Sequence, residues 1–161
     1  MNIEHLESTL LNMAKAGAAQ LLDEGKEVLS LVFYTNGNAI LATPIMRGET
    51  EDEARNQTRI ILKSVSEVCS CFVTVTEMWF AEVSKEEEQR RKQGEQLLRP
   101  SLRSDRKEGV LITLYSRHLG AEFWTMKFER KDGKLISRES EWSKVDNMNV
   151  DLPGSVFPKP N

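Results

Sequence analysis

The chain has 161 residues, 39% of them apolar and 29% charged, with a net charge of −3. That length suits one domain around one core, and so small a net charge offers no general attraction to nucleic acid or an anionic membrane. No apolar run nears the roughly 18 residues of a membrane span, and the acidic start, Met1 to Glu7, lacks the basic and apolar regions of a signal peptide; a cytoplasmic protein with no membrane partner is expected.

Residues 3 to 23 predict an amphipathic helix. Ile3, Leu6, Leu10, Met13, Ala14, Ala18 and Leu21 fall on one stripe. Gly17 shares that stripe, and Gly25 is a natural stop. Val28 to Tyr34 reads as a strand apolar on both faces. Asn36-Gly37 signals a two-residue hairpin turn, and Ala39 to Thr43 is the returning strand, closed by Pro44. Thr50 with Glu53 forms a capping box for a second helix reaching about Val68, with a buried stripe of Ala54, Ile61, Leu62, Val65 and Val68. A strand follows from Cys71 to Val83.

Ser84 and Glu87 repeat the capping pattern, but Lys85 to Gln96 has no large apolar residue, so it is a solvated helix or loop. Strand pattern resumes at Val110, turns near His118-Leu119-Gly120, and continues from Ala121 to Glu129. Asp132-Gly133 is a second hairpin signal, and Leu135 to Trp142 reads as an edge strand. The whole predicts an α+β domain over residues 1–145: a mainly antiparallel sheet of about six strands with two helices packed on one face. Residues 146–161, with Pro153, Gly154, Pro158 and Pro160, predict an extended or disordered tail.

One placement breaks the local rules. Glu77 shares a strand face with Cys71, Val73, Val75, Trp79, Ala81 and Val83. A carboxylate there needs a cation or a proton. Arg106, just before the next strand, is the expected partner, with Arg103 and Arg117 as others. Arg99, Arg103, Arg106 and Lys107, with Ser101 and Ser104 between them, form a basic loop able to cradle an anion or to pair with nearby glutamates. Asp105 with Glu129-Arg130-Lys131 has the local spacing of a metal-dependent nuclease, a pattern common by chance. Cys69 and Cys71 are two apart, so in a strand both point to one face; two buried thiols are expected rather than a disulfide or metal pair.

Thr76-Glu77-Met78-Trp79, followed by Pro100-Ser101 and Asp105-Arg106-Lys107-Glu108, resembles an uncharacterised group of bacterial and phage proteins. In that group a strand ending in Ser/Thr-Glu-x-Trp precedes a Pro-Ser…Asp-Arg-x-Glu stretch. The resemblance covers about 40 residues, roughly a quarter of the chain, and the helices and the tail contribute nothing to it. It carries no activity, and implies that Glu77, Trp79, Asp105 and Arg106 form one spatial cluster. The leading functional expectation is a non-enzymatic binding module that self-associates, with no cofactor and no metal. The alternatives are a metal-dependent hydrolase or nuclease using carboxylates, and an anion or nucleic-acid binder through residues 99–107.

Overall fold

The computed structural model describes residues 2–45, 50–97 and 103–146. Helix α1 spans Ile3–Asp23, started by Asn2, whose side chain accepts the Glu4 N–H at 2.9 Å. It stops at Gly25, which adopts φ +71°. Gly25 N–H then reaches the Leu22 carbonyl and Lys26 N–H the Leu21 carbonyl, the bond pair that closes a helix at a left-handed glycine.

Helix α2, Glu51–Val68, begins at Thr50, whose Oγ1 accepts the Glu53 N–H at 3.2 Å. Helix α3, Lys85–Lys92, begins at Ser84 with the equivalent bond from Glu87 N–H at 3.2 Å, and buries nothing. Both capping patterns therefore act as predicted, and a solvated third helix joins the two that were expected.

The strands are β1 (Leu31–Thr35), β2 (Ile40–Pro44), β3 (Cys71–Phe80), β4 (Lys107–Ser116), β5 (Gly120–Lys131), β6 (Lys134–Arg138) and β7 (Ser143–Val145). They form one sheet in the order β2-β1-β3-β4-β5-β6, with β7 also on β5. Every pairing is antiparallel. The α+β expectation with a mainly antiparallel sheet holds at this level.

Alternation along β3 sets the layers. Cys71, Val73 and Val75 join the core under α1, with Val110, Ile112, Leu114, Met126 and Phe128. Phe72 points the other way and packs with Tyr115, Val32, Leu62, Val65 and Cys69. The two larger helices, expected on one face, thus cover opposite faces. The reason is that β3 is apolar at both parities.

Four local readings change. The β1–β2 loop spans residues 36–39 rather than two residues. Asn36 Oδ1 accepts the N–H groups of Asn38 and Ala39, each at 3.0 Å, and only Gly37 has positive φ. By contrast Asp132 and Gly133, at φ +54° and +76°, make the two-residue turn expected. The last strand stops at Arg138, where the Glu139 side chain takes the Lys127 N–H at 2.6 Å, and the chain re-enters the sheet as β7. Finally, Cys69 ends α2 while Cys71 opens β3, so the two thiols lie in different cores and do not share a face. Val68, expected in the buried stripe of α2, is 77% exposed. The tail beyond Asp146 lies outside the described residues.

Candidate functional site

Glu77 stands on the α1 face of β3, opposite Val110. Its partner is Arg130, not the expected Arg106. Arg130 Nη1 donates to Glu77 Oε2 at 2.9 Å and Nη2 to Oε1 at 2.8 Å. Both side chains are only 16% exposed. The same Oε1 accepts the Val28 N–H at 2.8 Å, and Arg130 Nη2 donates to the Lys26 carbonyl at 2.9 Å. The bidentate bond to Glu77 is the main reason the guanidinium is held further toward its charged form.

Arg106 and Arg130 both precede or follow core residues on this face, so parity alone does not choose between them. Trp79 lies between Arg106 and Glu77 and takes the Arg106 guanidinium 4.4 Å from its ring centre. Arg130 instead crosses the Phe128 ring, at 4.6 Å, to reach Glu77.

The effect is a latch. Residues 24–30, which connect α1 to β1, are fastened to the sheet by Glu77 and Arg130. A second clamp sits beside it: Arg138 Nε and Nη2 donate to Asp23 Oδ1 and Oδ2 at 2.6 and 2.9 Å. Asp23 is the last residue of α1, where a carboxylate is disfavoured by the helix dipole; Arg138 offsets that cost and holds the carboxyl below its usual range.

The basic loop behaves similarly. Arg103 donates through Nε and Nη2 to Asp105, both at 2.9 Å, and through Nη1 and Nη2 to Glu87. Two carboxylates thus surround one guanidinium that is 14% exposed. An incoming anion would have to displace them, so Arg103 is not an open receptor. Arg103 holds Asp105 and Glu87 below the usual carboxylate range. Lys107 is exposed at the start of β4, and Arg99 lies outside the described residues.

Glu77, Trp79, Asp105 and Arg106 therefore divide among three arrangements: Glu77 with Arg130, Trp79 with Arg106, and Asp105 with Arg103. Glu129 is exposed on β5, and among the described residues no three His, Cys, Asp or Glu side chains are placed to hold one ion.

One buried acid escapes the sequence reading. Glu7, 5% exposed, sits among the core residues of α1. Ser116 Oγ donates to Glu7 Oε1 at 2.7 Å, and His118 Nδ1 lies 3.2 Å from the same oxygen and 2.9 Å from Ser116 Oγ. Its signal was available: Glu7 precedes Leu10 by three and Ala14 by seven, which puts it on the apolar stripe. The trio is not a hydrolytic triad. Such a triad places acid and serine at opposite ring nitrogens, with the serine proton directed to the imidazole. Here both meet Nδ1, the hydroxyl proton goes to the carboxylate, and Ser116 is 1% exposed. The trio ties α1 to the β4–β5 turn.

Cys71 lies close to Glu7. Burial pushes its thiol up to about 11, and the charge of Glu7 adds to this. Burial also raises Cys69. Raised values leave both as thiols at neutral pH, and a thiol is not the nucleophile. The folded protein at pH 8 is expected to resist a maleimide for hours, with both cysteines labelled at once in denaturant. Rapid labelling of the native protein would contradict this burial.

A different surface remains open. Because α1 lies over β3 and β4, it leaves a shallow groove of about 270 Å³ toward β1. Gly17 and Leu21 of α1 face Leu31 and Phe33 of β1 across it. Beyond it, Ile40, Ala42 and Pro44 of β2 share the parity of Leu31 and Phe33 and are exposed. From Val28 to Met46 the chain carries no charged residue, although 29% of the whole is charged. That uncharged run was the sequence signal for this surface.

Comparison with protein-family models, curated proteins and solved structures finds no match.

Proposed function

We propose that this protein is a non-enzymatic interaction module that self-associates, using the uncharged side of the sheet beside α1. The observation that carries this reading is the open apolar groove and its continuation onto β2, in a molecule whose inner charges are fastened to one another. Contiguous exposed apolar surface is a mark of interaction sites and binding grooves. The carboxylates and guanidinium groups best placed for chemistry, Glu77, Glu7, Arg130 and Arg103, serve instead to fix α1, its following turn and the connection before β4.

Light scattering tests the reading. The expected result is a mass above the 18.4 kDa of one chain that falls on dilution. Added sodium chloride should leave the association unchanged or stronger, because the contact is apolar and salt screens only charge pairs. A mass of 18.4 kDa at every concentration removes self-association.

A further inference from the structure

Resting on that reading, we infer that the contact is made by the β2 edges of two copies, paired antiparallel about a twofold axis through Ala42. Among the described residues no strand lies outside β2. Ile45 N–H bonds the Ser30 carbonyl and Asn36 N–H the Ala39 carbonyl, so the odd-numbered residues of the returning strand turn their peptide groups inward. By alternation Ile40, Ala42 and Pro44 turn theirs outward.

An exposed edge is ordinarily guarded by charge, by a bulge or by proline. This edge has no charge in the strand or its loop, and among the described residues its guard is Pro44. Pro44 has no N–H, and that constraint selects one register. With Ala42 opposite Ala42 of a second copy, each Ala42 N–H meets the other's carbonyl. Each Ile40 N–H then meets a Pro44 carbonyl, so every outward donor is satisfied and proline is needed only as an acceptor. The carbonyl left over is that of Ile40, and an unpaired carbonyl is better tolerated than an unpaired N–H. Strand and loop are neutral, so the edge has no like charges to set against itself. A strongly acidic or basic partner finds no complement there.

The twofold axis runs through the sheet, so both α1 helices stay on one side. The half-buried face of β1 and the exposed face of β2 from each copy then join into one apolar floor between the helices, lined by Leu31, Phe33, Ile40, Ala42 and Pro44 from both.

The test compares the wild-type chain with Ala42→Lys and Ile136→Lys, by light scattering with circular dichroism as the check on folding. Ala42→Lys places two cations opposite each other and is expected to weaken association at least tenfold while the fold persists. Ile136→Lys, at a 58% exposed position on β6, leaves it unchanged. Ala42→Cys supplies an independent arm. Opposed residues of a bonded antiparallel pair have Cα atoms about 5.5 Å apart, within disulfide reach, so mild oxidation should give a covalent dimer. A monomeric wild type would end both this inference and the reading it rests on. A wild-type dimer that survives Ala42→Lys and gives no cross-link through Ala42→Cys would overturn the edge pairing and leave self-association standing.

Discussion

Replacing Glu77 with glutamine is expected to destabilise the protein by about 3 kcal/mol, the range found when one member of a buried ion pair is removed. The substitution keeps the shape of the side chain and still lets it accept the Val28 N–H. What it removes is the counter-charge of a guanidinium that is 16% exposed and cannot leave without breaking its bond to the Lys26 carbonyl. For a chain of this size, each kcal/mol moves the melting temperature by roughly 2–4 °C, so a fall of about 6–12 °C is expected. Urea unfolding should show a lower midpoint with an unchanged slope, because the native fold is retained. A loss below about 1 kcal/mol would place the pair among solvated surface contacts.

Phe72→Ala is expected to cost about 4 kcal/mol, within the range for deleting a buried aromatic ring. Phe72 is fully buried and stacks on Tyr115 with ring centres 4.9 Å apart. It also forms the floor for Leu62 and Val65, the residues through which α2 docks. The loss should therefore be uneven. Hydrogen exchange is expected to accelerate in α2 well before it does in α1, whose core lies on the other face of β3. Equal acceleration in both helices would mean that the two faces unfold as one unit.

Features encoded within a few residues were legible in the sequence. Thr50 with Glu53 and Ser84 with Glu87 cap helices because donor and acceptor are neighbours in the chain. Asp132-Gly133 turns as expected because both residues accept positive φ. The parity of Glu77 was also readable, since alternation needs only its own strand. Its partner was not, because Arg130 lies 53 residues away and the choice against Arg106 depends on where the Trp79 and Phe128 rings stand.

The same limit explains the faces of the helices. Strand β3 is apolar at both parities, so its pattern allows a helix on either side, and only the packing of Phe72 against Leu62 and Val65 assigns α2. Strand β7 was missed because its pairing with β5 depends on the halt at Glu139, where a side chain replaces a strand bond. Asn36-Gly37 misled for a related reason: the Asn36 side chain closes a longer loop by itself.

The odd carboxylate of the sheet is architectural if Glu77 and Arg130 act as one unit, and a double-mutant cycle measures this directly. Glu77→Gln, Arg130→Met and the double variant are each unfolded in urea. The predicted result is a coupling of about 2 kcal/mol, with the double variant losing less than the sum of the two singles. Losses that simply add would contradict the latch and leave Glu77 on an apolar face with no structural partner to explain it.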